Sequence, residues 1–270
     1  MPTTKTARLL SFFIAALAAI EAAGGLLLPG LYRDNLFVSS DWKGNDLVTL
    51  VIAVPILVVA LALAARGIGR ATLIWIGMLD YMLYNYAFYL FAAAFNWFFL
   101  LYVALFGLSI FAIIFALANL DTTGISRLFR ERLPRGWIAG YMLLVAVGLS
   151  LVYLAQSLGF IITGQLPGII AKTGHPTSIV FALDMTLVIP FFVLGAIWLL
   201  QRKPWGYVLA GAALVKGPLY TLVLTVDSLW ASKAGVPDAG GEIPLWLTLT
   251  VLGLAGAGLL YGNMREEVAA

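Results

Sequence analysis

The chain has 270 residues, 62% of them hydrophobic and 11% charged, with a net charge of +3. Soluble domains carry roughly 25% charged residues, so a mean hydropathy of +1.00 points to lipid as the solvent, and the small positive charge makes no case for a nucleic-acid partner. With no cysteine and a single histidine, His175, the sequence excludes disulfides, thiolate metal sites, cysteine nucleophiles and multi-histidine metal centres.

Crossing the hydrocarbon takes about 20 apolar residues in a helix. Eight segments qualify: 9–28, 47–65, 71–93, 97–118, 137–156, 178–200, 206–226 and 244–262. They are too long for strands and do not alternate, so the expected fold is an all-α polytopic bundle of eight transmembrane helices. The first follows Lys5 and Arg8 and carries Glu21. Glu21 and Gly24-Gly25 suit a cleavage region poorly, so the segment reads as a retained signal anchor. An outer loop, 29–46, leads to the second span, with Asp46 at its outer end and Pro55 deeper in. A tight basic turn, Arg66 to Arg70, opens the third span. There Asp80, Tyr81, Tyr84, Asn85 and Phe88 share one broad helical face. So many phenols beside a carboxylate and an amide predict a wall facing protein or a cavity.

The fourth span ends in a basic loop, 119–136, with Arg127, Arg130, Arg132 and Arg135. An outer segment, 157–177, carries His175 and separates the fifth and sixth spans; the sixth holds Asp184 and Pro190. In the seventh, Lys216 lies mid-span with Pro218 beside it, and Tyr220 and Asp227 on the same face. The mid-span lysine resembles that of microbial rhodopsins in depth only. The position one turn earlier is Ala212 rather than aspartate, and an eighth span follows, so no retinal Schiff base is expected.

Eleven lysines and arginines fall in the segments on the N-terminal side of the membrane and four in the opposite loops, with Lys216 inside a span. The positive-inside rule then places both termini in the cytoplasm of a cell-membrane protein. The halves 1–118 and 137–262, joined by the basic loop 119–136, share a punctuation. Each has a long outer loop, a span with an outer Asp and a deeper Pro, and a tight basic turn. This reads either as a parallel 4+4 repeat or as coincidence among Leu/Val-rich helices.

A charge near the bilayer centre costs about 2.5–3.5 kcal/mol on insertion scales, so Glu21, Asp80, Asp184 and Lys216 need partners, water or a ligand. With Asn85, Tyr84 and Tyr220 they form a candidate ligand-binding, ion-binding or proton-relay set. Asp46, His175 and Asp227 are candidates for an outer vestibule. The first functional reading is binding or transport of a small solute or ion through an outward-opening polar cavity, with proton coupling in one version. The second is a non-catalytic sensor, accessory or assembly protein whose interior polar groups only fix packing. An enzyme comes third, because no metal-ligand cluster, nucleophile motif or phosphate-binding loop is present. Membrane lipids and a small ligand are the expected partners, and the sequence names no cofactor.

Overall fold

Long apolar runs without alternation fold as helices, and helix dominates residues 2–265, which a computed structural model describes. In chain order these are α1 (Pro2–Leu27), α2 (Leu36–Val48), a π-helical turn (Thr49–Ala53), α3 (Val54–Ala65), α4 (Gly69–Ala92), α5 (Phe99–Leu117) and α6 (Thr122–Arg127). Then follow α7 (Arg135–Thr163), α8 (Gly168–Thr173), α9 (Ile179–Leu183), a second π-helical turn (Asp184–Val188), α10 (Ile189–Leu200), α11 (Pro204–Lys233) and α12 (Ile243–Gly262). Among the described residues the only β pairing is an isolated bridge, Phe129 to Met264.

Among the described residues, seven continuous helical runs are long and apolar enough to cross a membrane: Thr4–Leu27, Leu36–Ala65, Phe99–Leu117, Arg135–Thr163, Ile179–Leu200, Pro204–Lys233 and Ile243–Gly262. Of the eight spans expected, seven coincide with these runs. The segment read as 71–93 is a 24-residue helix, α4, but Asp80, Asn85 and its tyrosines set it apart from the seven. Its enclosure explains how it carries them. Tyr81, Tyr84, Tyr86 and Tyr89 are all buried, as neighbouring helices wrap it. The outer helices turn residues such as Phe12, Leu100, Ile161 and Val251 outward. That is the pattern of a bundle whose apolar surface faces lipid.

Several boundaries also move. Asn35 caps α2, its Oδ1 accepting from the Val38 N–H at 3.0 Å, so the helix begins eleven residues before position 47. The loop before it shrinks accordingly, and Asp46 lies inside a helix. Likewise α7 runs on to Thr163, where Gly164 (φ 71°) takes the left-handed conformation that ends it. α11 continues past Asp227 to Lys233.

The two π-helical turns have one cause. Proline cannot donate a backbone bond, and its ring crowds the carbonyl four residues back. Pro55 and Pro190 sit in the first turns of α3 and α10, each directly after a widened turn. In those turns the Val54 N–H bonds to Thr49 O and the Ile189 N–H to Asp184 O, a five-residue step. The widening absorbs the proline without stopping the helix, and such turns are frequent at functional sites.

Contacts sort the loops into two ends. At one, Arg8 reaches Ala64 O (3.2 Å), Arg70 reaches Met264 O (3.3 Å), and Arg135 reaches the Tyr207 hydroxyl (3.1 Å). At the other, Asn35 donates to Lys172 O and Thr173 O (both 3.0 Å), while Asp34 accepts from Trp42 Nε1 (2.9 Å) and the Ala94 N–H. Along the axis α4 and α11 pack directly. A Cβ at Gly77 would lie 2.6 Å from Val215 Cβ and 3.1 Å from the Ala212 backbone. Gly77→Ala therefore forces these helices apart. It is expected to cost about 1–3 kcal/mol, read as a lower midpoint of thermal unfolding in detergent. Gly107→Ala, with nothing within 4 Å of the added methyl, is the neutral control.

Candidate intramembrane polar site

At 100° per residue, the polar side chains of α4 fan round the axis in the order Asp80, Tyr84, Tyr81, Asn85, Tyr89, Tyr86, covering roughly 240°. Each meets a different neighbour. The single wall expected from Asp80 to Phe88 is therefore a sector of a wider belt.

On one side lies the cluster around Lys216. Its Nζ is 3.5 Å from Asp80 Oδ2 and 4.3 Å from the centre of the Tyr84 ring. The Tyr84 hydroxyl donates to Asp184 Oδ1 at 2.7 Å, and the Tyr153 hydroxyl of α7 donates to Asp184 Oδ2 at 2.6 Å. Tyr220 packs its edge on Tyr84 with ring centres 4.8 Å apart. Asp184 opens the second π-helical turn, so the widened backbone carries the carboxylate. Lys216 acts on Asp184 electrostatically without touching it. One tyrosine thus serves both charges, its face under the ammonium and its hydroxyl on the acid. Lys216 is sealed (5% of the side chain exposed), while Asp80 keeps 21% of its side chain exposed. Asp80 is the less enclosed member of the pair, although its Oδ2, which faces Lys216, is buried.

In the middle, α2 is tied to α4 by amides and hydroxyls. Asn45 Nδ2 donates to Asn85 Oδ1 (2.8 Å), Thr49 Oγ1 donates to Asn45 Oδ1 (3.1 Å), and Thr49 Oγ1 lies 3.2 Å from the Tyr81 hydroxyl. Thr49 starts the first π-helical turn.

On the far side Glu21 of α1 and Asp46 of α2 are both fully buried. Asp46 accepts from Tyr32 (2.6 Å) and Tyr89 (2.7 Å), and Glu21 accepts from Tyr86 (3.2 Å). The Tyr32 oxygen also lies 3.5 Å from Glu21 Oε1, linking the two acids. Burial, then the charges of Asp46 and Glu21, hold the Tyr32 phenol above its usual range, so it remains a hydrogen-bond donor. Gly25 makes the arrangement feasible, since a methyl there would collide with Asp46 Oδ2 and the Tyr32 hydroxyl.

The candidate residues therefore separate into groups. Lys216, Asp80, Tyr84, Asp184 and Tyr220 come together; Asn85 belongs to the bridge with Asn45; Glu21 forms its own pair with Asp46. The outer-vestibule set disperses. Asp46 is sealed inside α2, and Asp227 is buried where α11 crosses α2 at Gly44, whose added Cβ would strike Asp227 Oδ1. His175 lies in the loop between α8 and α9, its Nε2 3.7 Å from Asp34. Tyr32, Tyr86, Tyr89 and Tyr153 were missed as acid partners. The tyrosine density of 81–89 was the available signal for two of them, whereas Tyr32 and Tyr153 are isolated in sequence. No family model, curated protein or solved structure matches this chain.

Proposed function

We propose that this chain is a multi-pass protein of the cell membrane that binds a small solute or ion beside Lys216, Asp80, Tyr84 and Asp184, and moves it across the bilayer. In this reading α4 is the eighth crossing. The end carrying Arg8, Arg70 and Arg135 faces the cytoplasm, which puts both termini inside, in keeping with the eleven-to-four distribution of basic residues. The observation that carries the reading is the shared Tyr84, which holds a lysine on its face and a carboxylate on its hydroxyl, both charges lying within apolar helical runs where they are costly. Lys216 has two acids within its influence, Asp80 in contact and Asp184 one ring away. Transfer of the ammonium from one to the other would break one set of contacts as it makes the next. A solute or proton arriving at Asp80 releases the lysine toward Asp184.

The two proline-bearing π-helical turns support a related proposal, that residues 1–118 and 137–262 are parallel pseudo-repeats about an axis along the membrane normal. Each turn precedes a tight basic connection into an inner helix, α4 or α11. The alternative, a sensor or assembly protein without a path, is favoured by one observation: Glu21, Asp46, Asp80 and Asp184 each already have a phenol or a lysine as partner.

A thermal-shift screen of charged and polar metabolites on the detergent-solubilised protein separates the two. Transport or binding predicts a stabilising compound whose effect disappears in Lys216→Ala and weakens in Asp80→Asn and Asp184→Asn, with uptake into proteoliposomes lost in parallel. If binding and uptake survive all three substitutions, the proposal is wrong.

A further inference from the structure

The end of the bundle that carries Arg8, Arg70 and Arg135 holds a cluster of arginines outside the proposed solute site. It is organised by the isolated antiparallel bridge between Phe129, after α6, and Met264, after α12. The bridge is closed by the Arg130 N–H on Asn263 O (2.9 Å) and the Arg265 N–H on Leu128 O (2.7 Å). Side chains alternate from face to face along such a pairing. Phe129 and Met264 are buried, and the Phe129 ring stacks on Tyr207 with centres 4.8 Å apart. Arg130 and Arg265 therefore share the opposite face, as diagonal neighbours within about 8 Å of each other.

Two more arginines are anchored to the same bridge. Arg70, in the first turn of α4, donates to Met264 O at 3.3 Å. Arg135, at the start of α7, donates through Nε to the hydroxyl of Tyr207, the ring on which Phe129 stacks (3.1 Å). Four guanidinium groups from four parts of the chain are thus gathered round one pair of residues. Among the described residues the ion pairs are His175–Asp34 and Lys216–Asp80, so none of the four meets an acid. Of the acids nearby in sequence, Asp121 caps α6 by accepting from the Gly124 N–H, and Glu131 is exposed and meets Arg135 through its backbone carbonyl.

The positive-inside rule does not require this arrangement. It counts basic residues near the ends of spans and is indifferent to whether they converge. Arg66, Arg127, Arg132 and Arg202 satisfy it from exposed positions, whereas Arg70, Arg130 and Arg135 are half-buried. Like charges gathered at partial burial repel one another, and an anion among them removes that cost.

Depth indicates which anion. Trp137, two residues beyond Arg135, is 79% exposed, and Trp205 is exposed at the start of α11. Indoles turned outward at span ends mark the head-group level. The surface there is open: a Cβ added at Gly136 or Gly262 would meet nothing within 4 Å. Leu144 of α7 and Leu259 of α12 turn outward and offer apolar surface to acyl chains. Guanidinium forks pair with phosphate oxygens through charge-assisted hydrogen bonds.

We propose that Arg70, Arg130, Arg135 and Arg265 form a binding site for the phosphate head group of an anionic phospholipid.

The test is titration of the purified, detergent-solubilised full chain with phosphatidylglycerol and, separately, with phosphatidylcholine of the same acyl chains, at constant ionic strength. Native mass spectrometry counts bound lipid, and the midpoint of thermal unfolding is followed in parallel. Phosphatidylglycerol is expected to bind as one saturable equivalent and to raise the midpoint beyond anything phosphatidylcholine does. Arg130→Gln/Arg265→Gln keeps the backbone N–H groups that close the bridge, so the variant should fold normally. It should weaken phosphatidylglycerol binding about thirtyfold. Arg66→Gln/Arg202→Gln removes the same charge from the two tight turns at the same end and should weaken it less than about threefold. The proposal is overturned if the two lipids act alike, if inorganic phosphate at the same concentration protects as well as the lipid, if Arg130→Gln/Arg265→Gln titrates as the wild type does, or if the control pair loses as much. Glu266 and Glu267 follow Arg265 in the sequence. A lipid response seen only in Glu266→Gln/Glu267→Gln would also overturn it.

Discussion

Truncating Lys216 to alanine is expected to destabilise the protein by about 3–5 kcal/mol, the range for removing one member of a buried ion pair. Two losses combine. Asp80 keeps its carboxylate while losing the ammonium 3.5 Å away, and the Tyr84 ring loses the cation over its face. Asp80 is only partly enclosed, with 21% of its side chain exposed, which favours the lower part of that range. The informative comparison is Lys216→Met with Asp80→Leu. Replacing both charges by apolar groups of similar shape removes the desolvation cost along with the attraction, so the double variant should regain most of the stability lost in Lys216→Ala. A double variant as unstable as the single one would mean that Lys216 is held by something other than Asp80. Chemical or thermal unfolding in a fixed detergent measures all three proteins on one scale. Function should separate from stability here: the double variant folds and does not bind.

The second large effect is expected at Asp184. Asp184→Ala strands the hydroxyls of Tyr84 and Tyr153, which donate to its two oxygens at 2.7 and 2.6 Å. An orphaned buried donor costs about 1–3 kcal/mol, and intramembrane hydrogen bonds fall toward the lower end, so about 2–4 kcal/mol is expected for the pair. Asp184→Asn keeps one acceptor and turns the other position into a donor facing a donor, so it should fall between wild type and alanine. Adding Tyr153→Phe to Asp184→Ala removes one stranded hydroxyl and should return part of the loss. Simple additivity of the two substitutions would refute the contact. Because Asp184 starts a π-helical turn, the alanine variant also reports whether that turn depends on the side chain. If it does not, the backbone path through Pro190 stays unchanged and only the tyrosine contacts are lost.

How far each residue could be read from the chain depended on whether its partner was near in sequence. Lys216, Asp80 and Asp184 stand out because a charge in an apolar run is conspicuous wherever the run folds. The phenol-rich stretch of α4 was equally visible, and its enclosure follows from its polarity. Tyr153 could not be found this way. It stands twelve residues from Tyr141, the other phenol of α7, and 31 residues from the acid it bonds, and nothing nearby marks it. Asp46 was placed at the outer surface because a run of mixed polarity, 36–46, reads as loop. The Asn35 cap and the burial of Trp42 and Asp46 against α4 make it helix. The π-helical turns were legible only as prolines at unusual depth, since a five-residue hydrogen-bond step leaves no side-chain pattern of its own.

Composition alone determined the solvent and the secondary structure. With so few charges and such long apolar stretches, helices in lipid are the arrangement that satisfies the backbone. It also determined that interior charges must be neutralised, because the penalty for leaving them bare is set by the medium and not by the fold. Tertiary structure decided which groups do the neutralising. Lys216 could have met Asp184, Asp227 or Glu21. The angular fan of α4 gives it Asp80 and the face of Tyr84, and leaves Glu21 and Asp46 together with no positive charge in contact. Pairing across helices depends on rotation about each axis to within a fraction of a turn, and a one-residue step moves a side chain by 100°. That rotation is set by the whole bundle at once, which is why it is absent from any single segment of the chain.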